Sequence, residues 1–375
     1  MKKLAFTSII ERFLSFLKRN DLLLELTWDE LMSINAPFPE TKYSIREVIA
    51  RYSRNGYDWD IHGTLYFPEK EAISGNAIVM VHGGGVNELT FNRTPHGLGW
   101  AHILASQGFK ILTISYPGLW PPNGSWPTNP QERTPIFLLD REIASAELKD
   151  RILKYTFNLV VQGIATLVNQ NLCGNNILVF GHSIGARLVI DLGKFPNIKI
   201  VGILGFASLG AKIWEDELQE KVLQRKTEGK PKAEKPTLEK LTQFRRILPN
   251  THEPRILLPL LRTHAELEEC VRLSGLQREE YFDNSLTKEP EAKWLINKKV
   301  LLVIGENDDV APSHNWPKDQ LLDVRPAYYI AQKFSHITRA THLVIVPRYG
   351  HTGHLELNSE KITYLWLWAI KSNYF

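Results

Sequence analysis

Six short, nearly continuous apolar runs, spread along the chain and separated by helical stretches, constrain the fold more than any other feature of this sequence. Runs of this length that are rich in Val, Ile and Leu are typical of strands buried on both faces. Strands that alternate with helices predict right-handed crossovers and a doubly wound, mostly parallel sheet. The predicted strands are Ala77–Val81, Lys110–Ser115, Asn176–Phe180, Lys199–Leu204, Lys299–Ile304 and His342–Val346.

Two β-rich segments, Tyr43–Tyr52 and Trp59–Phe67, precede these runs and are separated by Arg54-Asn55-Gly56-Tyr57. An Asn-Gly pair between two such segments favours a tight antiparallel hairpin. We therefore predict that an N-terminal hairpin joins the sheet. The predicted helices are Gly97–Gln107, Arg141–Asn171, Gly185–Lys194, Ala327–Thr338 and Ser359–Lys371.

Two long segments interrupt the alternation. Pro117–Pro135 is too rich in proline for a helix or a central strand. Residues 207–297 separate two predicted core strands, whereas connections in α/β units are usually about 2–6 residues long. We predict that this segment is an inserted subdomain. Residues 41–206 and 298–375 then form the core, and residues 1–40 form an N-terminal extension.

The N-terminus begins Met1-Lys2-Lys3 and continues with an apolar run, as a signal peptide does. Glu11-Arg12 interrupts the run, and no small-x-small cleavage site follows. We predict an amphipathic helix that packs on the body of the protein or on a partner chain, in preference to a membrane surface. No stretch approaches the roughly 20 apolar residues of a membrane span.

Charge and cysteine content exclude several functional classes. The 45 basic and 41 acidic residues leave a net charge of +4, which does not favour a nucleic-acid binder. The densest basic run, Lys221 to Lys240, is interleaved with Glu and Pro, as in a solvated surface segment. Two cysteines, Cys173 and Cys270, in so long a chain favour a reducing compartment, so we predict a cytoplasmic protein.

A serine lies between a predicted strand and a predicted helix, in Gly181-His182-Ser183-Ile184-Gly185. Strand, sharp turn and helix form the setting in which a nucleophilic serine is held in a strained bend, and flanking glycines avoid collisions there. Upstream, the strand ending at Val81 continues as His82-Gly83-Gly84-Gly85. Consecutive glycines expose backbone N–H groups, which suits an oxyanion that develops in a transition state. The alternatives are a flexible loop and a phosphate-binding turn, but no dinucleotide or P-loop fingerprint accompanies these glycines.

A serine hydroxyl needs a base, and the base needs a group that orients it. Acids follow the strand Lys299–Ile304, and histidines follow the strand His342–Val346, so the chain order is Ser, acid, His at the carboxyl ends of separate strands. The spacing alone leaves several candidates for these two roles. They are Glu306, Asp308 and Asp309 for the acid and His351 and His354 for the base.

On these motifs the sequence resembles the α/β-hydrolase family, from about Tyr43 to Lys371. The matching motifs are His82-Gly83-Gly84-Gly85, Gly181-His182-Ser183-Ile184-Gly185, Gly305-x-x-Asp308 and Gly350-His351. The resemblance implies an α/β-hydrolase fold, and residues 207–297 resemble the cap that many members carry. It also implies specific roles: Ser183 as nucleophile, His351 as base and acid, Asp308 as the group that orients His351, and the N–H groups of Ile184 and of Gly84 or Gly85 as the oxyanion hole.

Other residues near these motifs have simpler interpretations. Glu306 and Asp309 are interpreted as turn or surface acids, His354 as a rim or supporting group, and Arg187 as an ion-pair partner in preference to a clamp for a substrate carboxylate. His351-x-x-His354 with Glu356 lacks the helical spacing of a zinc motif, so we predict no metal. The tryptophans Trp100, Trp120 and Trp126 are most simply explained by packing of an irregular loop, and the alternative is an aromatic wall over the site. The candidate substrate-binding residues are Trp120, Trp126 and His182.

We therefore predict a serine hydrolase that cleaves a small hydrophobic carboxylic ester through an acyl-enzyme intermediate, without a cofactor. The same groups also cleave amides, peptides and carbon–carbon bonds. A non-catalytic small-molecule-binding protein and a nucleotide- or nicotinamide-dependent enzyme are the other classes. The apolar run Ile256–Leu261 predicts a cap folded over an enclosed, apolar pocket. The alternative is that residues 207–297 pack against a second subunit in a homodimer.

Overall fold

The computed structural model describes ten stretches of the chain: residues 2–19, 21–83, 88–94, 97–117, 157–183, 185–207, 293–306, 308, 326–351 and 353–375. Nearly all of the predicted cap and the Trp/Pro-rich loop lie outside the described residues. The same is true of six individually predicted or considered positions, Gly84, Gly85, Trp120, Trp126, Ile184 and Asp309.

A nine-stranded sheet organises the described residues, and its strand order is β1-β11-β10-β9-β8-β4-β7-β3-β2. The pairs from β1 to β7 in this order are parallel, and β3 pairs with β7 and β2 in the antiparallel sense. The predicted mostly parallel sheet with an N-terminal hairpin is confirmed. The strands are β1 Leu23–Glu25, β2 Tyr43–Arg54, β3 Tyr57–Pro68, β4 Asn76–Val81, β5 Arg93–Thr94, β6 Gly97–Leu98, β7 Lys110–Ser115, β8 Asn176–His182, β9 Ile200–Phe206, β10 Lys299–Gly305 and β11 Ala340–Val346. Strands β5 and β6 form a separate antiparallel pair.

The hairpin turns at the Asn-Gly pair that predicted it. Asn55 and Gly56 have φ values of +54° and +81°, as a two-residue hairpin turn of the primed type requires. The ladder then runs from Arg54 opposite Tyr57 to Tyr43 opposite Pro68.

Helices cover both faces of the sheet. Alternate residues of each central strand point to opposite faces, so Val79 and Val179 enter one apolar core, and Ile78 and Phe180 enter the other. The helices α5, α6 and α7 contribute to the first core, and α1, α4 and α8 contribute to the second. The α-helices are α1 Lys2–Lys18, α2 Trp28–Ser33, α3 Leu89–Asn92, α4 Trp100–Ser106, α5 Phe157–Leu172, α6 Gly185–Asp191, α7 Pro326–Ile337 and α8 Glu360–Lys371.

The N-terminal segment is part of this packing. Phe13 of α1 is fully buried, and Ile9 is 2% exposed, so the amphipathic helix packs on the body of its own chain. The segment also contributes β1, which pairs with β11 in the parallel sense and which the sequence analysis did not predict. Within the described residues, no helix combines the length and the apolar character needed to cross a bilayer.

Candidate active site

Ser183 lies in the tight turn that joins β8 to α6. Its φ is +52°, a left-handed conformation that non-glycine residues seldom adopt. The turn is held by backbone hydrogen bonds: the Ser183 N–H donates to the Phe206 carbonyl at 3.2 Å, and the Ala186 N–H donates to the Ser183 carbonyl at 3.1 Å. A strained serine between a strand and a helix is the backbone geometry of a nucleophile turn.

The glycines on either side of Ser183 are required by close backbone packing. A Cβ on Gly181 would lie 2.4 Å from the Ala186 Cα, and a Cβ on Gly185 would lie 2.4 Å from the carbonyl oxygens of Val81 and His82. Each added carbon would collide with main-chain atoms, which cannot rotate away. The two glycines therefore let α6 start directly against the ends of β4 and β8.

Asp308 and His351 are brought together from two neighbouring strand ends. Asp308 is fully buried, and its Oδ1 and Oδ2 lie 3.0 and 3.1 Å from His351 Nδ1. Because a carboxylate only accepts, Nδ1 carries the hydrogen in this pair, and Nε2 is left as the proton-accepting nitrogen of the neutral ring.

A close backbone contact brings these two loops together. A Cβ on Gly305 would lie 2.2 Å from the Tyr349 carbonyl oxygen, so the end of β10 abuts the chain just before His351. The Asp308 N–H donates to the Gly305 carbonyl at 3.1 Å, which turns the acid toward the histidine. The glycine of Gly305-x-x-Asp308 therefore has a steric role.

His182 connects the serine turn to the histidine loop, which comprises residues 350–356. Its Nε2–H donates to the His351 carbonyl at 2.9 Å. Gly83, just beyond the end of β4, packs against His182 and Ser183. Its added Cβ would lie 2.7 Å from His182 Nδ1 and 3.0 Å from the Ser183 Cβ. The ends of β4, β8, β10 and β11 thus meet around Ser183 and His351.

Several ionisable side chains around this meeting point are buried in their neutral forms. Burial lowers the pKa of His82 to about 4 and of His354 to about 3, and it holds the pKa of His182 well below 6.5. Burial also raises the pKa of Glu356 to about 8. These groups are neutral near pH 7 because the surroundings disfavour charge.

The competing candidates for the acid and the base take other positions. The exposed Glu306 accepts from the Arg348 N–H at 3.2 Å, in agreement with its interpretation as a turn acid. His354 is fully buried and shares a hydrogen bond with Thr90. His354 therefore lies behind the site. Its interpretation as a rim group is wrong, and its interpretation as a supporting group agrees with this position.

Trp100 belongs to the core. It is fully buried, its Nε1–H donates to the Ser359 carbonyl at 3.0 Å, and its ring meets Trp366 edge to face at 4.9 Å. Trp100 therefore has a packing role, but as the first residue of α4 in the apolar core and not in an irregular loop. The side chain of Arg187 is outside the described part of the structure, so its predicted role as an ion-pair partner stays a prediction. In the described parts of the chain, no group of three or more His, Cys, Asp or Glu side chains could hold a metal ion.

Three residues have roles at the site that the sequence analysis did not predict: Gly305, Thr90 and Glu356. The role of Gly305 could have been read from its place at a strand end before an acid. No local pattern marks Thr90, because its partner His354 is distant in sequence. Glu356 accepts from the Gly350 N–H at 2.8 Å, a contact that depends on how the histidine loop folds back on itself.

Comparisons with known proteins identify the family and the fold of the chain. The sequence model of the alpha/beta hydrolase family matches residues 78–361 of this chain. Among solved structures, the chain is similar to a protein of Pseudomonas aeruginosa described as a probable hydrolytic enzyme, with 17% identity, a TM-score of 0.54, and coverage of 88% of this chain and 98% of that one. It is also similar to a membrane phospholipase A described as a bacterial virulence factor, with 14% identity, a TM-score of 0.51, and 87% of each chain covered. No curated protein matches the sequence.

Proposed function

Because the chain belongs to the alpha/beta hydrolase family, we propose that it is a serine hydrolase that cleaves a small hydrophobic carboxylic ester through an acyl-enzyme intermediate. The observation that carries the proposal is the buried Asp308 carboxylate 3.0 Å from His351 Nδ1. The loop that bears His351 is hydrogen-bonded to His182, the residue that precedes the strained Ser183. A serine, a base and an orienting acid are the groups that acyl transfer requires.

In the acylation step, Ser183 Oγ attacks the ester carbonyl carbon while His351 Nε2 takes the hydroxyl proton. Asp308 keeps the hydrogen on Nδ1 and stabilises the imidazolium that forms. The tetrahedral intermediate then collapses, the bond to the alcohol oxygen breaks, and His351 donates its proton to the leaving alcohol. The products of this half-reaction are an alcohol and an ester of Ser183.

In the deacylation step, a water molecule replaces the alcohol. His351 Nε2 takes a proton from the water as its oxygen attacks the acyl carbon. The second tetrahedral intermediate then collapses, the bond to Ser183 Oγ breaks, His351 returns the proton to Ser183, and the carboxylic acid is released. The oxyanion of each intermediate would be held by the N–H of Ile184, which follows the nucleophile, and by the N–H of Gly84 or Gly85. The proposed chemistry needs no cofactor or metal.

Two features favour the proposed substrate class, the fold and the composition of residues 207–297. An ester is favoured because ester hydrolysis is common in this fold, and a small apolar group is favoured by the apolar runs of residues 207–297, our proposed cap. Trp120 and Trp126 remain candidates for substrate contacts, whereas the third predicted residue, His182, is buried. The exposed free thiol of Cys173 is consistent with the reducing, cytoplasmic compartment that the cysteine content favours.

Covalent labelling with a fluorophosphonate, compared between the wild type and Ser183→Ala, tests the proposed nucleophile. We expect labelling of the wild type and none of the variant. Folded wild-type protein that takes no label would favour a non-catalytic binding protein.

A series of p-nitrophenyl esters of increasing acyl length then tests both the bond and the pocket. We expect the highest kcat/KM for short acyl chains. Equal turnover of long or polymeric substrates would contradict an enclosed pocket and favour a dimer interface built from residues 207–297. Labelling without turnover of any ester would redirect the search to amides and carbon–carbon bonds.

A further inference from the structure

Two buried side chains hold the main chain on either side of the proposed base. Glu356 Oε1 accepts from the Gly350 N–H at 2.8 Å, and His182 Nε2–H donates to the His351 carbonyl at 2.9 Å. We propose that His182 and Glu356 are positioning residues that fix the His351 ring relative to Ser183, and we call this pair the backbone clamp. The proposal rests on the proposed function and adds two residues to it.

The surroundings of His182 favour a positioning role over contact with substrate. The side chain is 2% exposed, and its ring centroid lies 4.5 Å from that of His354 and 5.1 Å from that of His351. Its Nε2 is already used by the His351 carbonyl. Because His182 directly precedes Ser183, one side chain ties the nucleophile's turn to the loop that carries the base.

The chemistry of this hydrogen bond fixes the state of the His182 ring. A carbonyl oxygen only accepts, so Nε2 must carry the hydrogen. Burial holds the pKa of His182 well below 6.5, so the ring is neutral and Nδ1 carries no hydrogen. A Cβ added to Gly83 would lie 2.7 Å from Nδ1. The Gly83 backbone therefore packs directly against the ring and leaves it little freedom to turn.

Glu356 reaches Gly350 because the histidine loop coils on itself. The Gly353 N–H donates to the Gly350 carbonyl at 3.2 Å, and the Glu356 N–H donates to the Gly353 carbonyl at 3.1 Å. These turns bring the Glu356 side chain back to the N–H that precedes His351. The carboxyl is 2% exposed, so its hydrogen bond is shielded from competing water.

The His182 contact acts on the peptide group that follows the His351 Cα, and the Glu356 contact acts on the peptide group between Tyr349 and Gly350, one residue before His351. Together they restrict the rotation that would swing the imidazole away from Ser183. A misplacement of about 1 Å in a catalytic group can lower the rate by about 10²-fold. Loss of the clamp should therefore lower kcat, while KM should change little because no substrate contact is removed.

Paired substitutions separate the hydrogen bond from the packing at each position. His182→Phe keeps a ring without the donor, and His182→Gln keeps an N–H donor at a similar reach. Glu356→Leu removes the acceptor, and Glu356→Gln keeps it. For each variant, thermal unfolding checks the fold, and kcat and KM are measured separately on a short p-nitrophenyl ester.

A second measurement does not depend on turnover. The downfield proton NMR signal of the His351 Nδ1–H, identified by its loss in His351→Ala, reports on the ring's environment. We expect His182→Phe and Glu356→Leu to shift or broaden this signal and to lower kcat by about 10²-fold. We expect His182→Gln and Glu356→Gln to keep the signal near its wild-type position and to retain most of the wild-type kcat.

The outcomes distinguish the clamp from the function on which it rests. Folded His182→Phe and Glu356→Leu variants with an unchanged kcat and an unchanged NMR signal would overturn the clamp. A wild type that neither hydrolyses esters nor takes the fluorophosphonate would overturn the proposed function, and the NMR signal would still report on the clamp. A rise in KM alone for His182→Phe would overturn the positioning role and return His182 to the substrate-binding residues.

Discussion

The serine turn, residues 181–185, and the histidine loop, residues 350–356, are fixed by different kinds of interaction. In the serine turn, main-chain atoms of α6 and β4 leave no space for a Cβ at Gly181 or Gly185. In the histidine loop, side chains make the decisive contacts: Asp308 holds the ring, and His182 and Glu356 hold the main chain.

This difference explains why one region is conspicuous in the sequence and the other is not. A backbone collision restricts the residue type at its own position, so the serine turn leaves a short motif. A hydrogen bond between distant residues restricts a pair whose spacing depends on the whole fold. Four substitution experiments, ordered from the largest expected effect to the smallest, test how far the two regions depend on each other.

The largest effect should come from removing the reacting groups of both regions. We expect Ser183→Ala and His351→Ala each to lower kcat by roughly 10⁶-fold, and the double variant to lose little more than either one, because the two groups share one step. Single-turnover and steady-state kinetics on a p-nitrophenyl ester provide the measurement. Losses that multiply in the double variant would show that the serine turn and the histidine loop act separately.

The acid should rank next. Asp308→Asn should lower kcat by about 10⁴-fold, because an amide supports the wrong imidazole tautomer. Glu306→Gln is the matched control, since this exposed acid contacts the Arg348 N–H and not the ring. We expect kcat of the control to match the wild type. The reverse ranking would assign the orienting role to Glu306 and refute the choice of Asp308.

A collision in the serine turn should have a smaller effect on the rate. In Gly185→Ala, the new methyl group meets two carbonyl oxygens at 2.4 Å, so the turn must shift, and we expect kcat to fall by about 10²-fold. Gly202→Ala is the control, because its nearest contact is the side chain of the C-terminal Phe375, which can move. Equal kcat values for the two variants would mean that backbone packing does not position the serine.

The smallest effect on kcat is expected for Glu356→Gln in the histidine loop, which should instead change the pH dependence of stability. Burial raises the pKa of Glu356 from 4.5 to about 8 in the folded protein. Between these values the native state binds more protons than the unfolded chain, so this carboxyl lowers stability as pH rises, by up to about 1.4 kcal/mol per pH unit. Below pH 4.5 its contribution is fully present, and it is lost as pH rises through about 8.

Glu356→Gln should remove this dependence. We expect the free energy of unfolding of the wild type to decrease relative to that of the variant between pH 5 and pH 8, as measured by chemical denaturation. The buried histidines have the opposite sign, because their lowered pKa values weaken the fold as pH falls, so the comparison with the variant isolates Glu356. Parallel curves would show that the carboxyl is ionised in the fold.

The sequence alone predicted the features that depend on local patterns. The apolar runs predicted the six central strands, and Asn55-Gly56 predicted the hairpin turn that the structure contains. It did not predict β1, because a strand as short as Leu23–Glu25 carries too little pattern to stand out and is stabilised by its pairing with β11. The burial of His354 was likewise missed, because histidine is compatible with both surface and core.

At the site, the sequence determined the serine turn and the pairing of an acid turn with a histidine loop, because glycine spacing and strand order are local or topological properties. Spacing left the acid open and the family resemblance favoured Asp308, which the structure places against the ring while Glu306 contacts Arg348. Only the tertiary structure decided that His182 and Glu356 hold the main chain around His351. The physical reason is that hydrogen bonds act over about 3 Å, so the partner is set by how the ends of separate strands converge. Residue spacing along the chain contains no information on that convergence at this precision.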